Sequence, residues 1–226
     1  MPSRTIAGIA FDAYGTLFDV YAVGAEAEEL FPGQGPQIAE IWRVAQIDYT
    51  RILTLSGRYK DFWQITGDAL DFAVAKLELT LTAAQKKQLM DAYAQLTAFD
   101  ENLEVLNVLK ARNIPLAILS NGSPDMLDKA ITAAGMSGVF DHVLSVDSVK
   151  KFKTSPEAYQ LAPDAFGAAA GDIVFASSNG WDVCGATWFG FRTFWVNRAG
   201  NALENLGVQP EKEGCNLRDL LDFVAG

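Results

Sequence analysis

Short apolar runs that alternate with helical segments constrain the fold of this chain more than any other feature of its sequence. The runs lie at 6–11, 115–119, 139–146 and 173–176, with the last at 193–196, and helical spacing of apolar residues separates them from residue 102 onward. Parallel strands need long crossover connections, which are usually helices and almost always right-handed. The alternation therefore predicts an α/β fold built on a parallel sheet.

The chain between residues 21 and 98 breaks this alternation, because it contains no second strand-like run. Gly35 and Pro36 are typical of a helix start, and the apolar residues after them recur at helical spacing. A second helix is predicted after the segment 58–60, and Thr82 is a good N-cap for a third. The sequence thus predicts a parallel-sheet core that is interrupted, after its first strand, by a helical insert.

The composition argues against several functional classes. Of the 226 residues 50% are hydrophobic and 20% charged, and the formal net charge is −10, which predicts a globular chain that binds neither nucleic acid nor an anionic membrane. No apolar stretch approaches the ~20 residues of a membrane-spanning helix, and the pattern of a signal peptide is missing. Cys184 and Cys215 lack metal-site spacing. We therefore expect a cytoplasmic protein.

Asp12 closes the first apolar run, where open α/β sheets place their chemistry. In a cleft that excludes water, a carboxylate held by hydrogen-bond donors attacks carbon and forms an ester; the alternative is a helix cap. Tyr14 puts a phenol where a related sequence might carry a second acid, the group that would supply a proton to an alkoxide leaving group. A halide leaves as a stable anion and needs no such acid, so Tyr14 favours that chemistry. Gly15 allows a left-handed backbone in the turn.

Polar side chains also end two other predicted strands. Ser120 and Asn121 offer hydroxyl and amide donors for an anion, although polar residues that open a loop are common. Ser177, Asn179 and Asp182 follow a later strand, and Asp182 is the only acid of that segment. The first turn of a helix would equally suit Asp182. Because Mg²⁺ is usually held through carboxylates, this segment predicts no metal site.

Two cations are candidates for contact with an anionic site. An ammonium from Lys153 beside Asp12 would keep that carboxylate ionised. The alternative is a solvated basic segment, since Lys150 and Lys151 are close in sequence. Arg43 lies in the helical insert, where it would bring positive charge over the site of an acidic protein; the alternative is an ordinary surface arginine.

Several segments of the chain resemble motifs of the haloacid dehalogenase superfamily, and most closely those of its L-2-haloacid dehalogenases. They occur in the expected order across nearly the whole chain, at 11–19, 42–50, 119–122, 153–159 and 177–191. The resemblance implies a Rossmann-like core domain at 1–17 and 99–226 and a helical cap domain at 18–98. It further implies a homodimer that converts short L-2-haloalkanoic acids to D-2-hydroxy acids with inversion, through an aspartyl ester on Asp12 and without metal or cofactor.

The resemblance also implies roles for individual residues. Thr16 would hold the Asp12 carboxylate, Arg43 and Asn121 would receive the halide, and Asp182 would polarise water. The implied catalytic residues are Asp12, Thr16, Arg43, Ser120, Lys153, Tyr159, Ser177, Asn179 and Asp182. The implied substrate-binding residues are Ala13, Tyr14, Arg43, Phe62, Asn121 and Trp181. Phe62, Tyr159 and Trp181 are expected to line the pocket, although aromatic side chains more often belong to the core.

Two other functions are consistent with these residues. One is a Mg²⁺-dependent phosphatase on the same fold, and the other is a binding protein that keeps the fold without catalysis. A hydrolase that depends on histidine is disfavoured, because His142 is the only histidine and lies in an apolar run.

Overall fold

A single parallel sheet forms the centre of the computed structural model, which describes residues 6–225. Its six strands are β1 (Gly8–Phe11), β2 (Leu116–Ser120), β3 (His142–Ser145), β4 (Ile173–Ser177), β5 (Arg192–Val196) and β6 (Lys212–Gly214). Their order is β3-β2-β1-β4-β5-β6, and every neighbouring pair is parallel. The predicted α/β class with a parallel-sheet core is confirmed.

Helices cover both faces of this sheet, as its nearly continuous apolar strands require. The core helices are α5 (Asn102–Ala111), α6 (Pro124–Ala133), α7 (Pro156–Phe166), α8 (Gly180–Phe189) and α9 (Leu220–Phe223). Ile9 and Phe11 of β1 pack in one apolar cluster with residues of α5 and α6. Ala10, which points to the opposite face, packs in a second cluster with residues of α7 and α8.

The chain between β1 and α5 forms the predicted helical insert. Its helices are α1 (Val23–Leu30), α2 (Gly35–Leu55), α3 (Phe62–Lys76) and α4 (Ala83–Ala94). Thr82 caps α4 as predicted, because its side chain and that of Gln85 exchange hydrogen bonds with the backbone in a capping box. The outgoing chain at Phe18 and the returning chain at Ala98 form an antiparallel bridge, so the insert leaves and rejoins the core at one place.

The strands differ from the predicted ones in two respects. The run at 193–196 is not the last strand, because Lys212–Gly214 adds β6 at the sheet edge. A three-residue edge strand with exposed charged side chains has no apolar pattern by which to find it. The 139–146 run forms a strand only at His142–Ser145, and a short 3₁₀ helix begins at Val146. Residues 1–5 and 226 of the expected core domain lie outside the described residues.

The topology brings three polar strand ends together. β1 lies between β2 and β4, at the point where the strand order reverses, and open α/β sheets bind ligands at this point. Residues that follow these three strands therefore share one edge of the sheet. No helix among residues 6–225 has the length and apolar character needed to cross a membrane.

Candidate active site

The Asp12 carboxylate is held by donors from three segments of the chain. Its Oδ2 accepts hydrogen bonds from Asn179 Nδ2 at 2.7 Å, Thr16 Oγ1 at 2.9 Å and Ser177 Oγ at 3.3 Å. Its Oδ1 accepts one from Lys153 Nζ at 3.1 Å, and from no other donor among residues 6–225. Oδ2 is thus fully engaged, whereas Oδ1 keeps a lone pair with which to attack.

Lys153 lies between two buried carboxylates. Its Nζ is 2.8 Å from Asp182 Oδ2 and 3.1 Å from Asp12 Oδ1. Burial lowers the pKa of the Lys153 ammonium, but the two carboxylates outweigh that effect and raise it above its usual value. Burial raises the pKa of Asp182 to about 6, against the attraction of Lys153. The ammonium is therefore a fixed positive charge beside Asp12, and Asp182 titrates close to neutrality.

Tyr159 holds the Asp182 carboxylate in place beside Lys153. Its hydroxyl donates to Asp182 Oδ1 at 2.7 Å, and its ring packs edge-on against Phe175 and Phe191. The side chain has no exposed surface, and the expectation that Tyr159 lines the pocket stays a prediction. Its helix packs on the sheet face opposite the main core, from which the hydroxyl reaches Asp182 while the ring stays in the second apolar cluster.

The turn after β1 orients Asp12. Gly15 has a φ of +94°, the left-handed conformation predicted for it. Thr16 Oγ1 donates to Asp12 and accepts a hydrogen bond from the backbone N–H of Ser178 at 2.8 Å. Ser178 therefore links the turn after β1 to the turn after β4. Its role was not predicted from the sequence, although it stands between two predicted site residues, Ser177 and Asn179.

Ser120 and Asn121 lie at the end of β2, beside β1. Asn121 Oδ1 accepts the backbone N–H of Lys153 at 3.0 Å, and Ser120 Oγ accepts that of Gly122 at 3.0 Å. Within residues 6–225 the Nδ2 of Asn121 donates to no protein acceptor. The site thus contains one amide donor, next to Lys153, that is free to bind an anion.

Arg43 reaches from α2 of the insert to the core. Its Nη2 donates to the backbone oxygen of Tyr14 at 3.0 Å and to Asn179 Oδ1 at 3.3 Å, and its Nη1 donates to Gln46 Oε1 at 2.8 Å. The surface alternative for Arg43 is therefore excluded. Burial raises the pKa of the Tyr14 phenol well above its usual value, so this hydroxyl stays neutral.

Of the two remaining aromatic candidates, Trp181 lines a cavity and Phe62 is buried. Trp181 lines a cavity of about 510 Å³ between α2 and the loops after β4 and β5, and Arg51 lies 5.3 Å from its ring. Phe62 is buried between the rings of Tyr14 and Phe152, with centroids 5.7 and 6.2 Å away. Arg43 and Asn179 also line the cavity, which therefore adjoins the site.

A cluster behind the turn was not predicted from the sequence. Asn102 Nδ2 donates to the backbone oxygens of Thr16 and Leu17 at 3.2 and 2.9 Å. Arg198 Nη2 donates to the same Thr16 oxygen at 3.3 Å, and Arg198 is itself paired with Glu101. These residues are far from Thr16 in sequence, and no motif marks them.

Together, these contacts define an α/β enzyme whose chemistry centres on a buried carboxylate beside an ammonium. Among residues 6–225, no group of three or more His, Cys, Asp or Glu side chains is placed to hold a metal ion. A family model described as haloacid dehalogenase-like hydrolase matches residues 6–190. The chain belongs to this family.

Individual relatives cover nearly the full chain. An (S)-2-haloacid dehalogenase of Pseudomonas sp. (strain YL) is 46% identical to it over 98% of this chain and 97% of its own. A crystal structure of an L-2-haloacid dehalogenase, 56% identical, matches with a TM-score of 0.97 over 98% of this chain and 100% of its own. The L-2-haloacid dehalogenase of Xanthobacter autotrophicus with chloropropionic acid covalently bound is 34% identical, with a TM-score of 0.93 over 98% and 99%.

Proposed function

We infer that this protein is an (S)-2-haloacid dehalogenase, a hydrolase that acts on carbon–halide bonds. It converts short L-2-haloalkanoic acids to D-2-hydroxy acids with inversion, through an ester on Asp12. The observation that carries this function is the asymmetric environment of that carboxylate. Three donors fix Oδ2, and Oδ1 meets only Lys153 among residues 6–225. The relative with chloropropionic acid covalently bound supports a covalent intermediate.

In the proposed first step, Oδ1 of Asp12 attacks C2 of the substrate from the side opposite the halogen. Ser120, Asn121 and the backbone N–H groups of Ala13 and Tyr14 bind the substrate carboxylate. The carbon–oxygen bond forms as the carbon–halogen bond breaks, and the halide leaves with the bonding electron pair. We assign its reception to Arg43, with Asn121 as a second donor, because Asn121 Nδ2 is free.

In the second step, water hydrolyses the ester. Asp182 accepts a proton from the water as it attacks the ester carbonyl, and Lys153 and Tyr159 hold Asp182 in place. The former Oδ2 becomes the carbonyl oxygen, so Asn179, Thr16 and Ser177 stabilise the charge that develops on it. The bond between the carbonyl carbon and Oδ1 then breaks, and Asp182 gives its proton to the departing alkoxide, which leaves as the 2-hydroxy acid. The regenerated Asp12 carboxyl group releases one proton to solvent.

We propose that neither a metal nor a cofactor takes part. The Lys153 ammonium already supplies positive charge within hydrogen-bond distance of both carboxylates, where a divalent ion would otherwise act. We further propose that residues 18–98 form a cap domain that covers the site and excludes water. The contacts of Arg43 with Tyr14 and Asn179 support this, because they join the insert to the turn after Asp12 and to a residue that bonds the Asp12 carboxylate.

The partner is a small-molecule 2-haloacid, and we propose a homodimer in the cytoplasm that binds no nucleic acid and no membrane. Exposed apolar side chains of α2 and α3, Ile52, Leu55 and Phe72, support self-association through the insert.

Halide release is the test of this function. We expect chloride release from L-2-chloropropionate that EDTA leaves unchanged, with D-lactate as the product and no turnover of the D-enantiomer. A Mg²⁺-dependent phosphatase would instead release phosphate from a generic phosphate ester, and EDTA would abolish that release. Absence of halide release from chloro-, bromo- and fluoroacetate and from both chloropropionate enantiomers would refute the proposed function.

The raised pKa of Asp182 predicts how the second step depends on pH. In the free enzyme Asp182 is ionised above about pH 6 and neutral below it. Only the ionised form accepts a proton from the water, so ester hydrolysis slows once Asp182 is protonated. Because the charge of Asp12 contributes to the raised pKa and is lost in the ester, the midpoint for hydrolysis lies below 6 rather than above it. Rapid-quench measurement of ester decay from pH 4 to 8 checks this, and a flat profile would contradict it.

A further inference from the structure

A fully buried glutamine lies beside Arg43 inside the helical insert. Gln46 Nε2 donates to Thr66 Oγ1 at 2.7 Å and to Tyr93 Oη at 3.0 Å, and its Oε1 accepts Arg43 Nη1 at 2.8 Å. Arg43 and Gln46 are three residues apart on α2, a spacing that places side chains on one face of a helix. Gln46 thus joins α3 and α4 to the guanidinium.

The polar side chains around Gln46 have hydrogen-bond partners of their own. Thr66 Oγ1 donates in turn to the backbone oxygen of Phe62 at 2.6 Å, and Tyr93 Oη returns a hydrogen bond to Gln46 Oε1 at 3.2 Å. Trp42 Nε1 donates to the backbone oxygen of Thr66 at 2.8 Å. A buried polar group without a partner is costly, whereas a satisfied network imposes one arrangement on the elements it joins. The network therefore fixes where α2 presents Arg43.

Arg43 depends on such fixing because its charge is not paired. No carboxylate among residues 6–225 forms an ion pair with it, and its acceptors in the structure are the neutral oxygens of Tyr14, Asn179 and Gln46. A guanidinium without a neighbouring carboxylate keeps its charge for an anionic ligand. Because no ion pair holds this guanidinium, its orientation depends on hydrogen bonds to neutral acceptors.

We propose that Gln46 is a positioning residue for Arg43, and that it sets the geometry in which the guanidinium receives the departing halide. The proposal rests on the function inferred above. Hydrogen bonds link Gln46 to Asp12 through Arg43 and Asn179. Among residues 6–225 the side chain of Gln46 bonds only Arg43, Thr66 and Tyr93, so its effect on the reaction passes through Arg43. Through the hydrogen bonds of Gln46, Thr66 and Tyr93, the helices α2, α3 and α4 together fix the position of Arg43 for the first chemical step.

The test begins with Gln46→Met, which keeps the length of the side chain and removes its acceptor. We expect kcat for L-2-chloropropionate to fall about 10- to 100-fold, from the loss of one hydrogen bond to a charged group, with KM within about threefold of the original value. Thr50→Val is the matched control, because Thr50 is also buried on α2 but, within residues 6–225, its side chain bonds only to its own helix, at Ile47. It should leave kcat within about twofold.

Two further measurements separate positioning from simple stability. Chloride is a poorer leaving group than bromide and gains more from a donor, so Gln46→Met should slow the chloro substrate more than the bromo substrate. In an Arg43→Met background, Gln46→Met should cause no additional loss of kcat. An equal loss for both halides, or a full additional loss in the double variant, would overturn the inference. Wild-type protein without halide release would instead overturn the proposed function.

Discussion

Asp12→Asn is expected to abolish halide release, with a fall in kcat of at least about 10⁴-fold, because the amide oxygen carries no charge with which to displace a halide. The fold should remain intact. Lys153 keeps Asp182 as a partner at 2.8 Å, and the amide replaces the carboxylate at nearly equal volume. Chloride assays on L-2-chloropropionate measure the first effect, and thermal unfolding measures the second.

Asp19→Asn is the matched control for this variant. Asp19 closely follows the same turn, but among the described residues its Oδ1 accepts only the backbone N–H of Tyr21 at 2.9 Å, which an asparagine oxygen also does. Its activity should stay within about twofold. An Asp12→Asn protein that is folded but inactive also excludes the silent binding protein. In ¹⁸O water, a single turnover of the wild type should label Asp12 first; label that appears directly in the hydroxy acid would contradict the ester.

Lys153→Met is expected to have the second largest effect, on both activity and stability. Loss of the ammonium leaves Asp12 and Asp182 buried without a cation, and breaking a buried ion pair typically costs about 3–5 kcal/mol of unfolding free energy. The two carboxylates then repel each other, so one takes up a proton and Asp12 is no longer reliably ionised. We expect kcat to fall at least about 10³-fold.

The pH dependence of this stability loss has a definite sign. In the variant, repulsion and burial raise a carboxyl pKa in the folded state above its unfolded value, so the folded state binds more protons. The destabilisation should therefore be smaller at pH 5 than at pH 8, as urea unfolding at both values measures. Lys151→Met is the control, because Lys151 is exposed and paired with Glu157 at the surface, where such pairs contribute about 1 kcal/mol or less. Equal effects of the two variants would contradict the placement of Lys153 at the site.

Much of the site could be predicted from the sequence because parallel strands end at a common edge. Asp12, Asn121 and Ser177 each close an apolar run, and a polar residue at such a position must lie near the others once the strands are neighbours. The structure brings Asp12 and Ser177 into contact at 3.3 Å. Lys153 lies on a loop, and only the resemblance to known motifs distinguished it from Lys150 and Lys151.

Residues that reach the site only through tertiary contacts are not marked in the sequence by a position at the end of an apolar run. Arg198 and Asn102 support the backbone of Thr16 from distant parts of the chain, and neither stands in a motif. The place of the Tyr159 ring in the second apolar cluster was not predicted either, because sequence spacing gives a residue's helix and not the sheet face on which that helix packs. The proximity of Gln46 to Arg43 could have been predicted, since Gln46 lies three residues after Arg43 on a predicted helix.

The sequence by itself determined the fold class, the interruption of the core by a helical insert and the identity of the carboxylate at the end of β1. These follow from local periodicity and from residues adjacent in the chain. Only the tertiary structure decided which oxygen of Asp12 is free, that Lys153 lies between two acids, and that a buried glutamine aims Arg43. Hydrogen bonds and ion pairs act over about 3 Å, and folding alone brings groups more than a hundred residues apart to that distance.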